Sequence, residues 1–238
     1  MDFYQTIAQH YDDIFPVHPG KVALAAEGLA PGSRILDIGC ATGAMSSMLG
    51  QKGFSVEGID LSDTLLARAQ EKAQSANVQF RKLDMRAIAD IFPEQSFDSI
   101  ACFGNTLVHL QGVEEIGQFL QAAYKCLKPG GKFVGQILNY TRILKYNIAE
   151  LPEIDKPAFR FSRRYKPCGA QLLFQIELLD KATGKTAVSE QKLYPLTHYQ
   201  LTTVAKEAGF NSCTRYGSPA KAPFDEDTSY PLLFVLTR

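Results

Sequence analysis

The stretch Arg34-Ile-Leu-Asp-Ile-Gly-Cys-Ala-Thr-Gly-Ala-Met-Ser46 decides how the rest of the chain is read. Ile35, Leu36 and Ile38 form a short run of β-forming apolar residues, as expected of a strand buried on both faces. Gly39 and Gly43 follow at once, and the apolar spacing then turns helical at Met45, Met48 and Leu49. A strand, a glycine turn and a helix start make a pocket lined by backbone. Glycines permit a sharp bend and close approach, while free N–H groups point out of the helix N-terminus. The spacing is Gly-x-x-x-Gly rather than the Gly-x-Gly-x-x-Gly of a dinucleotide turn. Asp37 lies inside the strand end, where a buried carboxylate needs a partner, and an ammonium group on a ligand would supply one.

Outside this stretch, composition sets bounds. The 238 residues suit one large domain, or one domain carrying a lid. Lys plus Arg equal Asp plus Glu, 25 of each, so the net charge is zero. That removes the broad electrostatic footprint of a protein living on nucleic acid or anionic membranes. Five cysteines (40, 102, 126, 168 and 213) form no Cys-x-x-Cys pair and read as reduced thiols of a cytoplasmic protein. The four histidines are dispersed and show no metal-ligand spacing, so no metal is expected. No leader-like segment and no membrane-spanning run is read.

Taken in order, the chain alternates strands and helices. Phe3, Ile7, Tyr11, Ile14 and Phe15 have the spacing of an amphipathic helix over residues 2–15, packed on the main domain. A helix at 21–29 stops at Gly28 and Pro31-Gly32. After the helix 44–51, a second strand over 54–59 ends in Asp60. A carboxylate there can accept two hydrogen bonds from a ribose diol, which points to a nucleoside without saying which one. A helix at 64–74 and a strand at 78–82 lead to Leu83-Asp84-Met85. A strand at 97–103 precedes a helix at 113–127 ended by Lys128-Pro-Gly-Gly131, and a strand at 132–138 leads to Asn139-Tyr140. From Leu151 the alternation stops. The segments 159–166, 171–180 and 185–194 read as antiparallel strands, inserted before a helix at 199–208 capped near Thr197. Residues 213–216 and 231–237 close the sheet as a hairpin-like pair around the loop 217–230.

The glycine stretch resembles motif I of the class I S-adenosylmethionine (AdoMet) methyltransferases, hydrophobic-Asp-hydrophobic-Gly-x-Gly-x-Gly, with Ala41 where the middle glycine stands. The Leu127-Lys-Pro-Gly-Gly131 turn and Ala208-Gly-Phe210 fit the same pattern. Phe103-Gly-Asn-Thr-Leu-Val-His-Leu110 with Asn139-Tyr140 is similar to the corresponding pieces of glycine N-methyltransferase and its relatives. The resemblance implies an α/β fold, a doubly wound Rossmann-like seven-stranded sheet, mostly parallel with its last strand antiparallel. Residues 1–238 would form a single domain, with 151–195 a β-rich lid insertion.

For the site, the resemblance implies AdoMet as cofactor and S-adenosylhomocysteine as product. Asp37 would lie near the methionine amino group, with Gly39, Cys40, Ala41 and Gly43 in the turn and Asp60 and Leu61 on the ribose side. Asp84 would take the adenine amino group, and the Met85 N–H would face the ring. Phe103 and His109 would lie near the methionine and Asn139 near the acceptor, and Tyr11 would cover the cofactor with its ring toward the sulfonium. His109, Asn139 and Tyr11 are the residues expected to orient or deprotonate an acceptor, His109 alone titrating near neutrality. Read without the family, Asn105 is a cap or turn residue and His109 a satisfied helix histidine. The glycine enzyme holds its substrate carboxylate with an arginine just before a lid strand, where this chain aligns Gly169. Arg163 and Arg164 are near but unmatched, and at least one reads as a solvated charge.

The expected activity is transfer of a methyl group, by in-line displacement, to a nitrogen or oxygen of a small-molecule acceptor. Such chemistry needs alignment and exclusion of water more than a fixed triad. The Asn/Asp-Pro-Pro-Tyr/Phe motif is absent after the fourth strand, which weighs against DNA-base or glutamine methylation. A dehydrogenase would share the layout but needs the missing glycine triplet. A non-catalytic AdoMet-binding protein and a protein or RNA methyltransferase stay open as alternatives. No nucleic-acid or membrane partner is expected, and the lid strands could pair between subunits.

Overall fold

Neighbouring residues on the central strands fall into different apolar clusters: Ile35 from Leu36, Ala101 from Ile100, Val134 from Phe133. A two-residue period with both members buried requires packed layers on both faces of a sheet. The structure, a computed structural model, describes residues 4, 7–73 and 75–238. Along the chain its strands are β1 (Arg34–Ile38), β2 (Ser55–Asp60), β3 (Val78–Lys82), β4 (Phe97–Cys102), β5 (Leu127–Leu138), β6 (Glu150–Asp155), β7 (Phe159–Cys168), β8 (Gln171–Asp180), β9 (Thr186–Leu193), β10 (Ser212–Tyr216) and β11 (Pro231–Thr237). Seven form one sheet in the order β3-β2-β1-β4-β5-β11-β10. Strands β1 to β5 pair in parallel, and β11 runs antiparallel to both β5 and β10. The strand order reverses on either side of β1, so the ligand crevice belongs at the C-terminal ends of β1, β2 and β4.

Helices Pro19–Ala26 and Ala44–Gln51 put Val22, Leu24, Met45 and Leu49 against one face of this sheet. Helices Val113–Cys126 and His198–Glu207 put Ile116, Phe119, Leu120, Leu201 and Val204 into the cluster on the other. Local chemistry sets their ends. Thr197 and Gln200 form a reciprocal capping box, and Glu114, Glu115 and Lys125 complement the dipole of the longest helix. The other four strands form an antiparallel sheet, β6-β7-β8-β9. Alternate residues of β7 and β8, among them Phe159, Phe161, Tyr165, Leu172, Phe174, Ile176 and Leu178, are buried on its inner face.

Several boundaries differ from the sequence reading. The second sheet has a fourth strand, β6, hidden by a proline and three acidic residues in Glu150-Leu-Pro-Glu-Ile-Asp155, of which only Leu151 is buried. Lys128-Pro-Gly-Gly131 does not precede β5 but bulges within it, between the pairs Phe97–Leu127 and Ser99–Lys132. Over residues 8–14 the N-terminal segment is a 3-10 turn, Ala8–His10, running into the short helix Tyr11–Ile14, which interrupts the α-helix expected over 2–15. Residues 2, 3, 5 and 6 of the first expected helix, and Gln74 at the end of the helix expected over 64–74, lie outside the described residues. The next helix starts at Pro19, two residues early, because the His18 Nδ1 accepts the Gly20 N–H at 3.0 Å and proline suits the first helical position. A helix at Tyr140–Lys145 was not expected at all. No helix among the described residues is long and apolar enough to cross a membrane.

Candidate active site

The crevice at the reversal point is a cavity of about 430 Å³, within the roughly 300–1,000 Å³ usual for small-molecule sites. Its floor is the glycine turn. Gly39 adopts φ +68°, and a Cβ there would collide with the Thr106 side chain 2.5 Å away. The turn is tied to β2: the Gly39 and Cys40 N–H groups donate to the Ile59 carbonyl at 2.8 and 3.0 Å. The Ala41 N–H donates to Asp60 Oδ2 at 2.9 Å, and the Ser62 N–H to Asp60 Oδ1 at 2.9 Å. These N–H groups therefore hold the turn closed instead of pointing free at a ligand. Ala41 itself has φ +50°. It thus lies in the left-handed backbone region that favours glycine, at a steric cost of about 1–2 kcal/mol.

Asp37 is 3% exposed, and its Oδ2 accepts from Ser46 Oγ at 2.6 Å. Burial raises its pKa from 3.8 to about 6, aided by the nearby Asp60 charge and opposed by the Ser46 hydrogen bond. A ligand cation would reverse that shift. The Asp12 carboxylate accepts from Thr42 in the glycine turn and pairs with Lys72, which clamps the N-terminal segment over the floor. Tyr11 lines the cavity as expected. Burial, then Tyr4 and Asp60, push its phenol well above the ordinary range, so Tyr11 can orient a ligand but not take its proton near neutral pH.

Phe103, Cys40, Met85 and the half-exposed Leu61 also line the cavity, and burial keeps the Cys40 thiol protonated. Lys21 reaches in from the helix Pro19–Ala26, its Nζ 5.8 Å from the Phe103 ring centroid, with its pKa lowered by burial. His109 lines the cavity and its Nε2 lies 3.1 Å from Tyr4 Oη. Burial lowers its pKa from 6.5 to about 4, so the imidazole is neutral at pH 7. That corrects the expectation of titration near neutrality. Asn105, at φ +72°, is the turn residue foreseen: Oδ1 accepts the Leu138 N–H at 3.0 Å and Nδ2 donates to Tyr140 Oη at 2.8 Å.

Three expected site residues point elsewhere. Asn139 does not line the cavity; its amide donates to the Glu226 and Ser229 carbonyls at 2.9 and 3.0 Å and caps the helix Tyr140–Lys145 through the Arg142 N–H. Its side chain is committed to clamping the loop 217–230, whose Tyr230 reaches the cavity. The Asp84 carboxylate turns to the Arg86 side chain and backbone, and only its neighbours Leu83 and Met85 border the cavity. Gly43 is also off the wall; a Cβ there would overlap Phe80 and Ala69, so it serves packing. The sequence reading missed Lys21 and Asp12, for which a helix pattern gave no reason to single out one charge. It also missed Gln136, Gln191 and Tyr230, which only the pairing of distant strands brings together.

The far wall is the inner face of the second sheet, through Leu151, Arg163, Phe174, Gln191 and Leu193. A sheet of this order, a single antiparallel strand in it, and a carboxylate-tipped β2 beside a glycine turn define the class I AdoMet-dependent methyltransferase fold. Residues 35–131 match the family described as methyltransferase domain. A ubiquinone biosynthesis O-methyltransferase of Pseudomonas fluorescens is 35% identical over 114 residues, 47% of each protein. The chain thus spans about half the length of the curated relatives it matches. The CcbJ methyltransferase of Streptomyces caelestis superposes with a TM-score of 0.82 at 23% identity, covering 97% of this chain and 95% of that one. CalS10 with SAM bound, an amino pentose methyltransferase from Micromonospora echinaspora, gives 0.61 at 21% identity, covering 97% and 89%.

Proposed function

We propose that this chain is an AdoMet-dependent methyltransferase that moves a methyl group, by in-line displacement, to a nitrogen or oxygen of a small molecule. The donor set fits the cofactor. Asp60 offers carboxylate acceptors for a ribose diol, and Asp37 is a buried carboxylate whose raised pKa calls for a cation such as an amino group. Lys21 supplies a cation for a carboxylate, and Tyr11 and Phe103 supply aromatic faces for a sulfonium. When bound, AdoMet supplies an activated methyl that leaves from a neutral sulfide.

The chain's own residues then bind, align and exclude water. Neutral His109, beside Tyr4, can accept or donate one hydrogen bond to an acceptor without carrying charge. Asn105 and Gln136 add polar groups at the tips of β4 and β5. The observation that carries the reading is Asp60, which bridges the glycine turn and β2 at the mouth of a cavity roofed by a second sheet. That roof supports a small acceptor over a macromolecule, as does the zero net charge. The name of an O-methyltransferase among similar proteins supports oxygen as one acceptor atom.

The test is transfer of labelled methyl from AdoMet into a cell extract separated by size. Label in the small-molecule fraction is the expected result. Enzyme-dependent label in the macromolecular fraction alone would contradict it.

A further inference from the structure

The second sheet brings one charged side chain to the cavity, that of Arg163. On β7 it sits across from Leu151 of β6 and Ile176 of β8, both buried, and two residues from each of the buried Phe161 and Tyr165. Its guanidinium carbon is 5.6 Å from the Phe161 ring centroid. Nη2 donates to the Pro152 carbonyl at 2.6 Å, while Nε is buried without a hydrogen-bond partner. No carboxylate among the described residues forms an ion pair with it. Arg164, one position on, behaves oppositely: exposed, it pairs with Glu150 at 3.0 Å and reaches Glu177 at 4.0 Å. A cation with an idle donor on an apolar wall costs stability, and an apolar residue of similar size would serve the fold better.

The other charges around the cavity are already accounted for. Asp12 is held by Lys72 and Thr42, Asp37 and Asp60 suit an amine and a diol, and Lys21 suits the cofactor carboxylate. We propose that Arg163 is the acceptor's anchor, taking a carboxylate or phosphate group of the molecule to be methylated. The proposal rests on the methyl-transfer reading of the same cavity. A guanidinium presents parallel N–H donors to such oxygens, a match that the point charge of lysine does not reproduce. Anchored there, the acceptor lies between the second sheet and the wall carrying His109 and Asn105.

The experiment uses the full-length chain, AdoMet with labelled methyl, and a small-molecule extract. The labelled product, with and without phosphatase treatment, is passed over a quaternary-ammonium resin at about pH 11, where most amines are uncharged and a carboxylate or phosphate sets the net charge. We expect retention; release of the label by phosphatase identifies a phosphate, and unchanged retention a carboxylate. With the retained acceptor fraction, Arg163→Met should raise KM roughly ten- to a hundredfold, the loss of a charged hydrogen-bond partner. Arg163→Lys should recover part of it. Both variants should bind S-adenosylhomocysteine as the wild type does, and Arg163→Met should melt no lower, since it removes an unpaired cation. A product not retained at that pH, no labelled small product, an unchanged KM, or a lower melting point for Arg163→Met overturns the proposal. Failure of the wild type to bind S-adenosylhomocysteine would instead remove the reading beneath it.

Discussion

The two sheets face each other across one cavity but bring opposite chemistry to it. Among the described residues, the carboxylates on its wall, Asp12, Asp37 and Asp60, belong to the first sheet or to the N-terminal segment clamped on it, with Lys21 as the one cation on that side. The second sheet offers Leu151, Phe174, Gln191, Leu193 and the cation of Arg163. The first wall suits a ligand with a diol and an ammonium group. The second suits something flatter, more apolar and negatively charged. The two walls thus divide one cavity by chemistry, and a substitution on either should move binding of one ligand while sparing the other.

The largest effect that tests this division comes from pH. Asp37 has its folded pKa raised from 3.8 to about 6, so its contribution to stability is full below about pH 4 and is lost as pH rises toward 6. His109 has its pKa lowered from 6.5 to about 4, so its contribution is full above about pH 6.5 and is lost as pH falls toward 4. Each is worth about 3 kcal/mol at roughly 1.36 kcal/mol per pKa unit, and in the wild type the two slopes oppose. Asp37→Asn should therefore melt higher as pH rises from 4 to 6.5, whereas His109→Gln should melt lower. Parallel melting profiles for the two variants would break the assignment.

A smaller effect separates scaffold from chemistry. Asn139→Ala removes a helix cap and both amide bonds to the loop 217–230. It should lower stability by about 2 kcal/mol and leave S-adenosylhomocysteine affinity unchanged in calorimetry below the melting transition. Smaller still is Ala41→Gly. It relieves the left-handed strain at φ +50° but adds unfolded-state freedom, for a gain of up to about 1 kcal/mol. A melting point lowered by Ala41→Gly would show that the Ala41 methyl is itself a needed contact.

The same division explains what could be read from sequence. Strands β1, β4 and the second half of β5, with the glycine turn, were legible because burial on both faces leaves few polar residues in them, and because Asp37 and Asp60 stand at strand ends where a carboxylate has few other uses. β8 was legible for a different reason: Leu172, Phe174, Ile176 and Leu178 alternate strictly with residues that face outward. β6 was not, since Pro152 and three acidic residues surround its single buried residue, Leu151. Asn139 misled for a physical reason as well. Asparagine after a strand end can face a ligand or cap a helix, and the choice depends on a loop nearly ninety residues away. Arg163 and Arg164 are adjacent in sequence, and only the pleat of β7 sends one into the cavity and the other to solvent.

Asp60 is where the account is most exposed. Its two carboxylate oxygens hold the Ala41 and Ser62 N–H groups at the cavity mouth, on the wall assigned to the ribose. Titration calorimetry of the full chain with S-adenosylhomocysteine should give one site. Asp60→Ala should weaken it roughly ten- to a hundredfold, about 1.5–3 kcal/mol for a charged hydrogen-bonding partner. The same affinity in Asp60→Ala, or tight binding of NAD in place of S-adenosylhomocysteine, would contradict the account.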